Sequence, residues 1–407
     1  MCGMTQEYDV TTPLDLDYYA VFANIPDADR TWWQRAREFG SGLDERMSGH
    51  WERGEYPVEL VRQAGHAGLL SDGVDVSGLG LETLSPLAAG LVNMETSRAD
   101  GSLGTALAVQ GGLALRTLML FGSEEQKNEH AEALAKADTL GAFALTEPAH
   151  GSDSVSLETT AVLHGDEQTG RYVINGEKKW IGNGASGGLT FTWARVSGGE
   201  FDGSVRCFMV PQDTPGYRGE VITGKASLRA IDQAQIHFAD VELPADAVLP
   251  GSRSFKDASV VLFATRLGVA WSAVGHAAAC VEAALSYSKQ REQFSKPIGA
   301  HQLVQERLSW MVSELTSMQL HVKHVTALDA ADALSGPQAS MAKYHNTRKA
   351  RQIALVARDM LGGNGILLQN KIARHMADIE AIHTYEGTES VQSLIIGRDL
   401  TGFSAFA

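Results

Sequence analysis

The spacing of apolar residues changes character twice along the chain. From about Asp27 to Leu140 it is helical: "RTWWQRAREFGSGLDERM" carries apolar side chains near i, i+3, i+4 spacing. "LSPLAAGLVNMETSRADGSLGTALAVQGGLALRTLMLFG" holds so little charge that its helices read as buried on most sides. "GSEEQKNEHAEALAKAD" sets Ser123 ahead of Glu and Gln, a helix-start signal. From Gly141 to about Val248, short alternating runs take over: "YVINGEKKWI", "LTFTWARV", "VRCFMVPQ" and "AQIHFADVELP". These predict strands, and the Asn175-Gly176 pair between strand-like runs predicts a hairpin. After Ser252 the pattern is helical again, in four long runs that predict a bundle. The fold class expected is mainly α with a central β domain. An all-helical domain spans residues 1–141, a small antiparallel β domain 142–250 and a four-helix bundle 251–407.

A chain of 407 residues is long enough for two or three domains with a large core. Its net charge of −15 argues against a nucleic acid partner, because phosphate binding needs basic surface. No run of 18 apolar residues predicts a transmembrane helix, and "MCGMTQEYDVTTPLDLD" carries no basic apolar signal. A soluble, cytoplasmic protein without a membrane partner is expected. Cys2, Cys207 and Cys280 lie far apart and fit no metal or redox spacing, which leaves buried free thiols and no metal site as the expectation.

"KKWIGNGASGGLTF" satisfies two patterns at once. Gly182, Gly184 and Gly187 spell the dinucleotide fingerprint; Gly184, Ser186 and Gly188 spell a hydrolase nucleophile elbow. Both motifs need a strand before and a helix after. Here strand-like residues stand on both sides, so the segment reads as a loop between strands and Ser186 is not a nucleophile. "LGGNG" (361–365) is a third cluster. Either it ends a helix with glycine in the left-handed region, or it lets the backbone approach a ligand closely.

Four segments, in order, resemble the acyl-CoA dehydrogenase superfamily: "FALTEPAHGSD" (143–153), "REQFSKPIGAHQLVQERLSWM" (291–311), "LGGNGI" (361–366) and "YEGTESVQ" (385–392). Within it, "TYEGT" with "IIGRDLTGFSAF", "GSEEQ", "SLRA" and "RDMLGGNGI" look closest to glutaryl-CoA dehydrogenases. The resemblance implies FAD and removal of hydrogens from Cα and Cβ of an acyl thioester. No side chain accepts a hydride, so a cofactor must. Glu386 matches the base that takes the Cα proton, and a carboxylate held against apolar surface gains basicity. The thioester oxygen would accept from the Glu386 N–H and from a flavin ribityl hydroxyl.

Further roles carry over from the resemblance. Phe143, Leu145, Thr146, Gly151 and Ser152 match the segment lining the flavin. Trp180, with Ile181 and Gly182 after it, matches the aromatic beside the isoalloxazine. Arg291, Phe294 and Gln302 match residues reaching the FAD of a neighbouring subunit, Arg291 through the pyrophosphate. Gly362 and Gly363 match the close approach to the cofactor's adenosine pyrophosphate, and Thr388 and Ser390 touch FAD again. Ser152, Gly104, Thr105, Arg266, Tyr385 and Gly387 fall near the substrate, with Gly387 leaving room for cofactor and thioester. A homotetramer built as a dimer of dimers is implied, with electron-transfer flavoprotein as electron acceptor, or O2 in an oxidase.

Two departures matter. Glutaryl-CoA dehydrogenases hold the distal carboxylate with an arginine that aligns to Gly104, supported by a glutamate that aligns to Ser97. A buried distal carboxylate without a cation is poorly tolerated. A short, branched or otherwise neutral acyl group is expected instead, on CoA or an acyl carrier protein, without decarboxylation. Gly182 stands where most dehydrogenases carry Thr or Ser near flavin N5. Its missing hydroxyl is expected to open space there, which keeps a short-chain acyl-CoA oxidase as the alternative. Retention of Glu386 argues against flavin monooxygenation, and the acidic charge argues against a nucleic-acid-protecting homologue.

Overall fold

In the computed structural model, residues 8–405 are described; Cys2 lies outside them. The first helical part comprises α1 (Asp27–Gly40), α2 (Asp44–Arg53), α3 (Val58–His66), α4 (Pro86–Ala99), α5 (Gly101–Leu107), a π-helical stretch (Ala108–Leu115), α6 (Arg116–Phe121) and α7 (Glu124–Ala135). Polar side chains set its breaks. Ser85 accepts the Ala88 N–H at the start of α4, with Pro86 in the first turn. Asp100 separates α4 from α5, and its carboxylate accepts the N–H groups of Ser102 and Leu103. Ser123 and Gln126 close a reciprocal capping box on α7, as the sequence suggests. From Ala88 onward every residue of α4 is buried, in keeping with its lack of an amphipathic stripe.

Strands β1 (Gly141–Ala144), β2 (Thr160–His164), β3 (Arg171–Gly182), β4 (Leu189–Ser197), β5 (Val205–Pro211), β6 (Tyr217–Val221) and β7 (Gln233–Pro244) form one seven-stranded sheet. It is mixed rather than purely antiparallel. β1 and β2 both pair parallel with β4, one along each half of it, while β2–β3, β3–β7, β6–β7 and β4–β5 are antiparallel. Alternating hydrophobicity reports which face a residue lies on, not the direction of its neighbour. The long crossovers into β4 permit the parallel pairs.

Asn175-Gly176 makes no hairpin. The pair lies inside β3 at a bulge, with Gly176 at φ 144°. Asn175 bonds Asp240 on β7 in both directions, Nδ2 to Oδ1 at 3.0 Å and Asp240 N–H to Oδ1 at 2.8 Å. The Asn side chain therefore stitches two strands instead of turning one. The glycines of 182–188 do connect β3 to β4.

The last part holds α8 (Phe255–Gln290), a two-residue-per-strand hairpin of β8 (Glu292–Gln293) and β9 (Lys296–Pro297), α9 (Gln302–Asp329), α10 (Gly336–Met360), α11 (Ile372–Thr384) and α12 (Glu389–Thr401). The short α11 is an addition to the four runs expected. α8 packs on α4, α9 and α10 through a continuous core that includes Trp271, Met318, Val322 and Ile353. Two helical stretches, Gly101–Phe121 and Phe255–Gln290, are long and apolar enough to cross a membrane by composition, and both are largely buried inside the protein. Cys207 and Cys280 are buried and free; burial pushes the Cys280 thiol up to about 12.

Candidate active site

Between α11 and α12 the chain makes a tight turn, Tyr385-Glu386-Gly387-Thr388. Glu386 sits at φ +52°, in the left-handed region. That conformation costs a non-glycine residue on the order of 1 kcal/mol and persists only where surroundings enforce it. Three groups enforce it here. Lys343 on α10 donates from Nζ to the carbonyls of Tyr385 and Gly387, on either side of the glutamate. Gln392 on α12 donates from Nε2 to the carbonyls of Glu386 (3.0 Å) and Gly387 (3.1 Å). Thr388 caps α12 by accepting the Val391 N–H.

Gly387, at φ +84°, leaves no free room of its own. A Cβ there would stand 2.5 Å from Gln392 Nε2, so the space expected for cofactor and thioester is taken by the Gln392 amide.

Glu386 is partly buried. Thr265 Oγ1 on α8 donates to its Oε2 at 2.8 Å, the one hydrogen bond to this carboxyl among the described residues. Burial raises its pKa; the Thr265 hydroxyl, the Lys343 ammonium and the Arg266 guanidinium oppose that rise, and Asp72 adds to it. The Glu386 N–H donates to no protein group among the described residues. Burial lowers Lys343 to about 7, with Glu386 pulling it upward. Arg266 is held by Ser340 (Nη1 to Oγ, 3.0 Å), and its Nε, buried, has no partner.

Thr105, on α5, is buried, and its hydroxyl faces the Tyr385 phenol; burial raises that phenol's pKa, with Thr105 opposing. Gly104 beside it packs directly on α4. A Cβ at Gly104 would lie 2.5 Å from Ser97 Oγ and 2.9 Å from Ser97 Cα. The structure thus brings Tyr385, Glu386, Gly387, Thr105, Gly104 and Arg266 into one neighbourhood.

A second group lies on the sheet. Thr146 accepts the Lys179 N–H at 2.8 Å, which ties the segment after β1 to β3. Beneath it, buried Lys178 donates to Glu147 (2.8 Å) and to the Leu145 carbonyl (3.1 Å). Trp180 has φ +66° and is 53% exposed, with Lys179 over its ring. Phe143, Leu145 and Ile181 are core side chains: Phe143 packs on Trp193, and Ile181 lies with Ala234 and Ile236. Their side chains point into the core, so what these three can offer a ligand is backbone. Gly151 and Ser152 are exposed.

Gly182 is buried, and the space beside it is filled. A Cβ at Gly182 would meet Val109 Cγ2 at 3.0 Å and Cγ1 at 3.2 Å. The opening expected from the missing hydroxyl is therefore occupied by a side chain of the π-helical stretch.

A third group is on the surface of the bundle. Phe294 and Ser295, at φ +55° and +63°, form the two-residue turn of the β8–β9 hairpin, and Phe294 is 89% exposed. Gln302 opens α9 and is exposed. Arg291 donates to the Tyr8 hydroxyl at 3.0 Å, Tyr8 packs edge-on against Tyr287, and Tyr287 accepts from Asn364. This chain of contacts joins Arg291 to the glycine turn. Gly362 (φ +55°) and Gly363 are exposed, and a Cβ at either would meet nothing within 4 Å. The cluster ends α10 with a left-handed glycine, and its backbone is open to the surface. Ser390 is exposed on α12.

Thr265, Lys343, Gln392 and Val109 were not singled out in the sequence. Glycine and acidic motifs point to the turn and to Gly182 themselves, whereas Thr265, Lys343 and Gln392 reach the turn, and Val109 reaches Gly182, from helices packed alongside. Trp180, Phe294 and Glu386 share positive φ, a trait that no residue type there advertises.

The comparisons with known proteins agree with this architecture. Three family descriptions match consecutive segments: acyl-CoA dehydrogenase, N-terminal domain (residues 26–138), middle domain (142–241) and C-terminal domain (255–401). An acyl-CoA dehydrogenase of Bacillus subtilis is 34% identical over 86% of this chain and 91% of its own length. The human mitochondrial short-chain specific acyl-CoA dehydrogenase is 32% identical over 85% of this chain and 83% of its own. A glutaryl-CoA dehydrogenase of Mycobacterium smegmatis, solved in complex with FADH2, superposes with a TM-score of 0.91 at 33% identity, covering 97% of this chain and all of that one. Butyryl-CoA dehydrogenase of Megasphaera elsdenii gives 0.86 at 27%, over 93% of this chain and 99% of its own. With all three segments matched in order and relatives aligned over most of their length, the chain belongs to the acyl-CoA dehydrogenase family, whose members are oxidoreductases acting on CH–CH donors.

Proposed function

We propose that this enzyme is an FAD-dependent α,β-dehydrogenase of a short or branched, uncharged acyl thioester, and that it does not decarboxylate its substrate. The observation that carries the reading is the Glu386 carboxyl: partly buried, basic for its type, given one hydroxyl donor, and presented from an enforced left-handed turn.

The chain's own residues fit the cofactor. Gly362 and Gly363 offer exposed backbone with no atom in the way, Trp180 presents a ring face, and Thr388 opens a 13-residue helix. Thr146, Trp180, Gly362, Gly363, Thr388 and Ser390 would hold FAD, with Arg291, Phe294 and Gln302 serving a neighbouring subunit's copy in a homotetramer. The exposed Phe294 at a hairpin tip supports that last assignment. FAD, when bound, supplies the acceptor for the hydride from Cβ.

Glu386 takes the Cα proton. Thr265 holds its Oε2 and so fixes the carboxyl's direction, leaving Oε1 without a donor among the described residues. Because burial raises its pKa, the carboxylate is a stronger base than an exposed glutamate, and its active form is the deprotonated one. The Glu386 N–H, without a protein acceptor, is free to bond a thioester oxygen and so acidify Cα. Lys343 and Arg266 favour the ionised carboxylate by opposing desolvation.

The closeness of α4 and α5 at Ser97 and Gly104 supports an uncharged acyl group, since an arginine at 104 has no room. Val109 against Gly182 supports the dehydrogenase over the oxidase, with electron-transfer flavoprotein as electron acceptor. The relatives' names favour CoA as carrier; turnover of acyl-carrier-protein thioesters alone would reverse that.

The deciding experiment is anaerobic titration of the flavin-loaded protein with acyl-CoAs of graded length, branching and charge. Short or branched neutral chains are expected to bleach the oxidised flavin and glutaryl-CoA is not; bleaching by glutaryl-CoA with release of CO2 would overturn the specificity. Hydrogen peroxide matching turnover under air would restore the oxidase.

A further inference from the structure

We propose that Lys343 is a positioning residue for Glu386: its ammonium group grips the carbonyls on both sides of the base and so fixes the turn that aims it. The inference rests on Glu386 being the base. Lys343 is 1% exposed, sits on a different helix from the turn, and makes both of its hydrogen bonds to that turn. A buried ammonium is costly unless its donors are used and a counter-charge is near. Here two donors go to the flanking carbonyls and the counter-charge is Glu386 itself.

One group thus does two jobs. It holds a non-glycine residue in a conformation that would relax without it, and it keeps the carboxylate ionised. The groups facing Lys343 are Glu386 and Tyr385 from the turn, Arg266 from α8 and His383 from α11. Of these, Glu386 alone is a carboxyl group, with its pKa raised by burial and held down by Lys343, so a lost ammonium acts on the base directly. Gln392 on α12 grips the same turn but carries no charge. That difference separates aiming from ionisation.

The test compares Lys343→Met, Lys343→Gln and Lys343→Arg with Glu386→Gln in the flavin-loaded protein. Three quantities are read: the rate of anaerobic flavin bleaching against pH, the affinity for a non-reactive thioester analogue, and amide exchange across residues 385–391. Lys343→Met is expected to slow bleaching about 10²-fold, the penalty of a base misplaced by about an ångström. It should move the rising limb of the profile to higher pH, speed exchange in the turn, and leave analogue affinity within a few-fold. Lys343→Arg is expected to restore the limb.

Wild-type bleaching, limb and exchange in Lys343→Met, while Glu386→Gln is inactive, overturns the proposal and leaves the base assignment intact. Native bleaching in Glu386→Gln instead removes the base assignment. If Lys343→Met does not fold, Lys343→Gln carries the test. Its neutral amide can serve one carbonyl, so an unshifted limb there also refutes the role.

Discussion

Two carboxyl groups stand at opposite ends of the same stretch, Asp378 fully buried within α11 and Glu386, partly buried, just beyond it, and desolvation raises the pKa of both. Their surroundings differ. Asp378 Oδ1 accepts the Trp51 indole N–H at 3.0 Å and the Leu228 N–H at 2.6 Å, and Oδ2 accepts the Ser102 hydroxyl at 3.2 Å. Those donors come from α2, from the loop before β7 and from α5, so one side chain ties the three matched segments together. Glu386 has one hydroxyl donor and an enforced backbone. Desolvation raises both groups; saturating the lone pairs makes a joint, and leaving them unsaturated makes a base.

Replacement of Glu386 by Gln should break activity most and stability least. Loss of the base is expected to slow flavin bleaching by about 10³- to 10⁴-fold. The melting temperature should hold or rise, because a neutral isostere removes a desolvated charge. A falling melting temperature with preserved bleaching would invert the comparison.

Asp378 should answer the other way. Asp378→Leu strands buried donors on Trp51 and Leu228 and is expected to cost about 3 kcal/mol, read by denaturant unfolding. Asp378→Asn retains an acceptor for both donors. The pH dependence gives the sharper reading. Its folded pKa, about 7, lies above the ordinary 3.8, so the folded state binds the proton more tightly. The stability this contributes is complete at acid pH and lost as pH rises through 7. Asp378→Asn should flatten the slope between pH 4 and 8, and an unchanged slope would show that the neighbouring Asp100 carries the titration.

How far the sequence reaches differs between these two acids. The order of helical, β and helical parts was legible because apolar periodicity reports burial face by face. Glu386 was legible through "YEGT" because the turn is local. Asp378 was not: its three donors are distant in sequence, and an Asp in "RHMADIE" reads as an ordinary polar helix position. Sheet direction and the Asn175-Gly176 bulge were misread for the same reason, since both depend on which strand lies alongside. The space at Gly182 and Gly387 was misjudged because the occupants, Val109 and Gln392, are chosen by packing.

A smaller change sharpens the comparison at Glu386. Thr265→Val keeps the shape of the side chain and removes the donor to Oε2. With that hydroxyl gone the carboxyl pKa rises further, and since the base works ionised, the rising limb moves to higher pH. A displacement of about one unit is expected, or about tenfold in rate below the limb and little above it. A limb that stays in place would mean that Lys343 and Arg266 alone set the ionisation.

The smallest effect comes from the matching deletion at the joint. Ser102→Ala also removes one hydroxyl donor from a buried carboxyl, and it takes an acceptor from the Ala230 N–H at 3.3 Å. Two N–H donors remain on Asp378, so the loss is expected to cost about 1 kcal/mol of stability, with bleaching rate and pH limb unchanged. Placed beside Thr265→Val, this pair removes the same chemical group from two acids that differ in how many donors remain. If both variants shift the pH limb, α11 transmits the state of Asp378 to the turn and the two carboxyls form one titrating unit. If the effects stay separate, donor count alone distinguishes the base from the joint.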